Sequence, residues 1–237
     1  MAFTTSIKTL KLTIRLLRNC FRDTTNGHLF CFAKKRIHAV TYTNNLQITQ
    51  KLYPNDAKVH NLKTAIDAIT PVPILPNEIF SFWKIVGQPS KKNGYVASRS
   101  IVGNKIQQSV GGGLCQLSGL IYYISLIAGL EVLERYSHSM DIYNETNRFT
   151  PLGSDATVVY GYKDLKIRNN RTSPINFSFL LQEDAITIIL NYSNHLLKNK
   201  VNFTQEETSS TELMVHTFIN GEKKVESKYK SLSQRTD

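Results

Sequence analysis

Acidic residues are scarce in this chain: 18 Asp and Glu stand against 29 Lys and Arg over 237 residues, a formal net charge of +11. The imbalance is local. Residues 1–60 hold ten Lys or Arg against Asp23 and Asp56, a net of +8, which leaves +3 for everything after. Basic charge gathered at one end points to an anionic surface as partner. Nucleic acid is not the expected one, because the basic positions lack interleaved aromatics and no recognised binding motif is present. Cysteine is scarce as well, with thiols only at positions 20, 31 and 115. An odd count builds no disulfide framework and points to free thiols in a reducing compartment. No CxxC, HxxxH or HxH spacing supplies a third strong ligand beside Cys115 and His138, so neither a metal nor another cofactor is expected. Long apolar runs are missing too. The longest uncharged stretch, Ile106 to Leu130, carries Gln, Ser and three consecutive Gly in its first half. That leaves about 17 residues for a helix, at the short limit for a membrane span. Lys8, Lys11, Arg15 and Arg18 interrupt the first apolar residues before the hydrophobic region of a secretion leader can form. The expected location is the cytoplasm or the inner face of the membrane.

What is present is enough apolar content, 41%, to bury a substantial core. The first element is an amphipathic helix over residues 4–22. Ile7, Leu10, Ile14, Leu17 and Phe21 recur at spacings of three and four, and Lys8, Lys11, Arg15, Arg18 and Arg22 repeat that spacing one position on. Such a helix either docks on its own domain through the apolar stripe or rests on an anionic membrane. A second helix is expected from Asn55 to Ile69, with Asn55 as N-cap and Pro71 and Pro73 closing it. Strand patterns follow at Ile79 to Val86, at Val96 to Ile101 and at Lys105 to Val110, the last two joined across Val102-Gly103-Asn104. After a buried helix ending near Gly129, strands resume at 131–135, 156–162 and 165–168. Two hairpins close the chain, 175–181 with 185–191, and 214–219 with 224–228 around Asn220-Gly221. Strand runs with segregated helices give an α+β fold class. It divides into a basic extension over 1–54, an α+β domain over 55–203, and a Ser/Thr-rich linker with a final hairpin over 204–237.

The chemistry gathers around Gly111-Gly112-Gly113-Leu114-Cys115-Gln116. Glycines cost about 1 kcal/mol each inside a helix, so this run reads as a turn that delivers Cys115 to a helix start. There the helix dipole favours the thiolate. Within the helix, Leu114, Leu117, Ile121, Ile124 and Ala128 make a core stripe. Cys115, Ser118, Gly119, Tyr122, Ser125 and Gly129 make a smaller, more polar one that permits close approach by a sheet or walls a cleft. His138 follows a strand and Asp155 precedes another. Papain-like and transglutaminase-like enzymes use this order of roles. In that arrangement Cys115 attacks a carbonyl, His138 moves the proton, Asp155 orients the imidazole, and N–H groups near Gly113 to Gln116 hold the oxyanion. Asp141 and Glu134 are alternative orienting carboxylates, and Cys115 also suits simple packing at the start of a buried helix. Arg99, Arg135, Lys163 and Arg168 form a candidate edge for recognising a carboxylate or phosphate, or are merely solvated.

Several blocks agree in order with one family: FSF…VG from Phe80 to Gly87, GGGxCQxS from Gly111 to Ser118, ERxxHS from Glu134 to Ser139, and YxDLxxRNN from Tyr162 to Asn170. Together they resemble the VanW family, named for an accessory protein of vancomycin B-type resistance clusters. The resemblance implies a link to the bacterial cell envelope and glycopeptide antibiotics, with no settled reaction. Two functions fit: a cysteine-dependent acyl transferase or amidase acting on cell-wall peptides, and a non-catalytic module that binds a cell-wall precursor or an envelope protein. They separate on whether Cys115 and His138 lie within hydrogen-bond reach of each other.

Overall fold

The computed structural model describes residues 2–36, 40–53, 55–102, 105–141 and 150–230, with backbone alone for 2–6, 8, 99–102 and 105–107. The chain begins with α1 (Ala2–Thr25) and the strand β1 (Asn44–Lys51). Helix α2 (Asp56–Ile69) starts where the sequence places it: Asn55 is extended, and its side chain accepts from Lys58 N at 2.8 Å. Two short strands follow, β2 (Pro73–Ile74) and β3 (Ile79–Ser81), then the short helix α3 (Phe82–Val86). The single strand expected over 79–86 therefore breaks in the middle. Ser81 caps α3 by accepting from Lys84 N at 3.3 Å, and Asp164 accepts from Trp83 N at 3.1 Å, so the backbone has helical partners where a strand would need a ladder.

The hairpin β4 (Ala97–Val102) with β5 (Lys105–Val110) leads into α4 (Leu114–Ile127). Of its expected turn, Gly103 and Asn104 lie outside the described residues. Next come β6 (Glu131–Glu134), β7 (Lys166–Arg168), β8 (Ile175–Leu181), β9 (Ala185–Tyr192), β10 (Val201–Ser209), β11 (Glu212–Ile219) and β12 (Glu222–Lys230). The fold is α+β. Its main sheet runs β1-β9-β8-β2 and is antiparallel throughout. A smaller antiparallel sheet runs β3-β7-β6, and the last three strands form the meander β10-β11-β12.

Helices α2 and α4 cover the main sheet, and one core joins Leu62, Ala65 and Ile69 of α2 to Leu117, Leu120, Ile121 and Ile124 of α4 and to Phe177, Ile186, Ile188 and Leu190 of the sheet. On α4 the expected core stripe is buried, and so are Ser118, Tyr122 and Ser125 on the other face. A helix closed in on all sides explains why its sequence is apolar almost all round.

Three further expectations differ from the structure. Residues 156–162 form no strand; they run beside α4 to a turn closed by a Val159–Lys163 bridge, and their polar groups are taken singly. Thr157 N donates to Tyr136 O at 2.7 Å, and Ala156 O accepts from Ser118 Oγ at 2.7 Å. Residues 204–209, expected as linker, are two thirds of β10, paired with β11. Residues 44–51, expected within the basic extension, are an edge of the main sheet, with Leu46 buried.

Candidate functional site

Gly111 and Gly113 sit at φ 80° and 99°, and α4 begins on the residue after Gly113. A Cβ on Gly111 would lie 2.5 Å from Pro89 Cβ, and one on Gly113 would lie 2.8 Å from Lys58 Cγ. The turn thus needs glycine for its backbone and for its neighbours. Fully buried Asn61 ties it to α2, donating to Gly112 O and Val96 O at 3.0 Å each and accepting from Val96 N at 2.9 Å. Cys115 is the second residue of the helix. The small face of α4 lies against residues 154–158: Ser118 bonds Ala156 O, and a Cβ on Gly119 would sit 3.6 Å from Asp155 Cα. That close approach leaves Cys115 Sγ 3.9 Å from Val158 O.

His138 enters from the loop after β6. Its ring Nδ1 meets Asp155 Oδ2 at 2.5 Å, and its backbone N–H donates to the same oxygen at 2.7 Å. On its other side the ring lies close enough to Cys115 for the imidazole and the thiol to shift each other's pKa. Asp155 Oδ1 accepts from Arg135 Nη2 at 2.9 Å and from the Tyr229 hydroxyl at 2.5 Å. Arg135 also donates to Asp155 O at 2.8 Å, to Gly153 O at 3.0 Å and to Ser227 Oγ at 2.5 Å, with its guanidinium 4.8 Å from the centre of the Tyr122 ring. Each carboxylate oxygen therefore has two donors, which fixes the plane of Asp155 and through it the His138 ring. The side chains of His138 and Asp155 remain 23% and 24% exposed, so the cluster is not sealed from solvent.

The electrostatics follow from these contacts. Burial pushes the Cys115 thiol up, but the hydrogen bond and charge of His138 outweigh it, and the thiol falls below its ordinary 9.0. Burial works against a charged His138, yet the bonds to Asp155 and Cys115 carry its pKa from 6.5 up to about 10. Asp155 is raised by burial and lowered more by the His138 bond and the Arg135 charge, ending well below the usual carboxylate range. Burial and the Asp155 charge raise the Tyr229 phenol, which keeps it a neutral donor. A thiol lowered from 9.0 beside an imidazole raised to about 10 leaves a pH window, above the thiol value and below that of the imidazole, in which thiolate and imidazolium coexist.

The structure thus brings Cys115, His138 and Asp155 together. Of the alternative carboxylates, Glu134 is turned to Arg22 at 2.7 Å and Lys166 at 3.1 Å, away from this pairing. Gln116 N donates to Gly113 O at 3.0 Å, so first-turn donors for an oxyanion come from Leu114 and Cys115, whose N–H groups have no acceptor within the helix. The Gln116 amide leans on the end of β1, donating to Lys51 O at 3.1 Å. Arg135, expected at a ligand edge, instead has a side chain only 7% exposed and spends its donors on Asp155, Gly153 and Ser227. The proposed edge does not form around it. Arg168 pairs with Glu131 at 3.1 Å, Lys163 lies over Tyr136, and the side chain of Arg99 on β4 is outside those described. Tyr229 and Ser227 were invisible to sequence reasoning, because nothing in β12 marks a partner 74 residues away.

Comparison with known proteins places these residues in a family. The family described as VanW like protein matches residues 57–191. The uncharacterized protein YoaR of Bacillus subtilis is 34% identical over 162 residues, which cover 68% of this chain and 49% of that one. The vancomycin B-type resistance protein VanW of Enterococcus faecalis is 33% identical over 129 residues, covering 54% of this chain and 47% of its own. The chain spans about half the length of these curated relatives. No solved structure matches it. The matched segment holds Cys115, His138 and Asp155, whereas Ser227 and Tyr229 lie beyond it. The match covers more than half of the sequence, and the chain belongs to the VanW family.

Proposed function

We propose that Cys115, His138 and Asp155 form a catalytic triad for acyl transfer or amide hydrolysis on cell-wall peptides. The observation that carries this reading is the His138 ring, whose Nδ1 meets Asp155 Oδ2 at 2.5 Å while the Cys115 thiol lies close enough for the two groups to shift each other's pKa. The Cys115 thiolate attacks an amide carbonyl carbon, forming a C–S bond while the carbonyl electrons move to oxygen. First-turn N–H groups of α4 stabilise that oxyanion. The imidazolium of His138 gives its proton to the amide nitrogen as the C–N bond breaks, releasing an amine and leaving a thioester. His138 then takes a proton from water or from an acceptor amine as it attacks the thioester. The C–S bond breaks, sulfur leaves as the thiolate, and a carboxylic acid or a new amide is released with the thiolate and imidazolium restored. Asp155 stays ionised and holds the ring. The vancomycin-resistance role in the name of the Enterococcus relative supports the cell-wall direction.

The test is to incubate the chain with peptide fragments of peptidoglycan and follow the products by mass spectrometry. Wild type is expected to cleave or exchange an amide bond that the Cys115→Ser and His138→Gln chains leave intact. Equal turnover by Cys115→Ser overturns the proposal. A Cys115 thiol inert to iodoacetamide at neutral pH, with no turnover by wild type, leaves the non-catalytic binding module in its place.

A further inference from the structure

We propose that α1 docks this protein on an anionic lipid surface through the face it turns away from the domain. The helix is held on its opposite side. Asn19 donates to Gly161 O at 3.2 Å, Arg22 pairs with Glu134 at 2.7 Å, and buried Asp23 bonds Lys166 Nζ at 2.5 Å. Leu12 packs so closely on Gly161 that a Cβ there would lie 2.5 Å from its Cδ1. Residues 12, 16, 19 and 23 recur at spacings of three and four and so share one face. The apolar stripe lies about half a turn round from it and is left uncovered: Leu10, Leu17 and Phe21 are 61%, 65% and 71% exposed, and Ile7 and Ile14 are exposed as well. The sequence periodicity that announces a buried face here marks the outer one.

Charge says what covers it. Residues 1–22 contain five Lys and Arg and no Asp or Glu. The first acidic residue, Asp23, is spent on Lys166. Lys11 and Arg18 are exposed on the helix beside the stripe. An apolar strip of Leu, Ile and Phe bordered by Lys and Arg suits the boundary between anionic headgroups and acyl chains. Each cation near such a surface adds attraction that salt screens. A second copy of the same face would bring two cationic helices together, which their charge opposes. No helix among the described residues is long and apolar enough to cross a membrane, so attachment by α1 is peripheral.

The experiment is co-sedimentation of the full 237-residue chain with vesicles of phosphatidylglycerol and phosphatidylcholine in equal parts, and with vesicles of phosphatidylcholine alone. The chain is expected to sediment with the anionic vesicles only, and to be released by added salt. Two variants separate the contributions, one carrying Leu10→Ser, Leu17→Ser and Phe21→Ser, the other Lys11→Glu and Arg18→Glu. Both should weaken binding at least tenfold while keeping the wild-type urea midpoint, because all five side chains are exposed. Absence of wild-type binding, or equal binding by wild type and both variants, overturns the proposal. So does a lowered urea midpoint in the serine variant, which would mean the stripe packs within the chain. A wild-type dimer that the serine variant converts to monomer would assign the face to a second copy and overturn it as well.

Discussion

The Tyr229 hydroxyl donates to Asp155 Oδ1 at 2.5 Å, so a residue of the C-terminal meander, outside the family match, holds the carboxylate that orients His138. Ser227, two residues earlier on β12, accepts from Arg135 at 2.5 Å and braces the same carboxylate from behind. The β10-β11-β12 sheet therefore acts on the cluster through Asp155 and Arg135, by positioning.

Tyr229→Phe removes one donor from an ionised carboxylate and keeps the ring in the small core with Leu152 and Val215. A hydrogen bond to a charged group is worth about 1.5–3 kcal/mol, and stability should fall by that amount in urea titrations. Alkylation of Cys115 should slow less than tenfold, since Arg135 and His138 still hold Asp155. An unchanged urea midpoint would show that the bond contributes nothing in solution.

Asp155→Asn tests the ion pair. Without the carboxylate, His138 loses its strongest favourable partner and its pKa drops from about 10 toward the ordinary 6.5. The imidazolium then deprotonates at lower pH and no longer stabilises the thiolate, so the thiol climbs back toward 9.0. Iodoacetamide labelling in a Cys20→Ser, Cys31→Ser background should show the inflection for Cys115 moving to higher pH and a slower rate at neutrality. An unmoved profile would break the link between Asp155 and the thiol.

How far these features could be read from residues alone depended on how local their causes are. The Asn55 cap and the glycine turn before Cys115 rest on neighbours within a few positions, and both were legible. So was the order of Cys115, His138 and Asp155, though not the clamp that makes Asp155 the partner. Strand β1 was missed because NNLQITQK sits in a basic segment and its pairing with β9 joins positions as far apart as Asn44 and Tyr192. Strand β10 was missed because VNFTQEETS is mostly exposed and offers no apolar alternation. The periodicity of α1 was real, but which face docks is decided by Asp23 meeting Lys166 and Arg22 meeting Glu134, contacts that only the tertiary fold supplies.

Gly113→Ala forces an alanine to φ 99° and places a methyl 2.8 Å from Lys58 Cγ. The Lys58 side chain can shift, so the backbone strain dominates, on the order of 1–2 kcal/mol. Urea denaturation should show that loss, and labelling of Cys115 should slow as the helix start is displaced. The same substitution at Gly119, where a Cβ meets only ordinary contacts at 3.6 Å and beyond, should be tolerated far better.

Arg135→Met removes the cation from a buried pair whose side chain is 7% exposed. The Asp155 charge left behind loses the Arg135 contacts at 2.9 Å to Oδ1 and 2.8 Å to its backbone carbonyl. Breaking a fully buried pair from one side costs about 3–5 kcal/mol, and the loss here should fall below that range because Asp155 is 24% exposed and keeps His138 and Tyr229 as partners. Arg135→Lys should recover only part, because one ammonium cannot reproduce the separate bonds to Asp155, Gly153 and Ser227. Thermal unfolding of the two variants beside wild type measures both losses, and a methionine chain as stable as wild type would remove Arg135 from the clamp.

The pH dependence of stability follows from the same contacts. Asp155 titrates lower in the folded chain than its ordinary 3.8, so its contribution is present above 3.8 and is lost as pH falls below it. His138 titrates higher when folded, so its contribution is complete below 6.5 and fades as pH rises through about 10. Cys115 works in the opposite sense on that alkaline side. Its thiol is lowered from 9.0, so its contribution is complete above 9.0 and shrinks as pH falls. The His138 loss and the Cys115 gain therefore offset each other in part between 6.5 and about 10. Replacing the thiol by Cys115→Ala removes the gain, and it also removes the sulfur that helps raise His138. The alanine chain should therefore lose stability toward alkaline pH from a lower starting pH than wild type. Urea midpoints across the range for wild type, Cys115→Ala and His138→Gln check this, with the alkaline decline expected to vanish in His138→Gln; a decline that persists there would assign it to other groups.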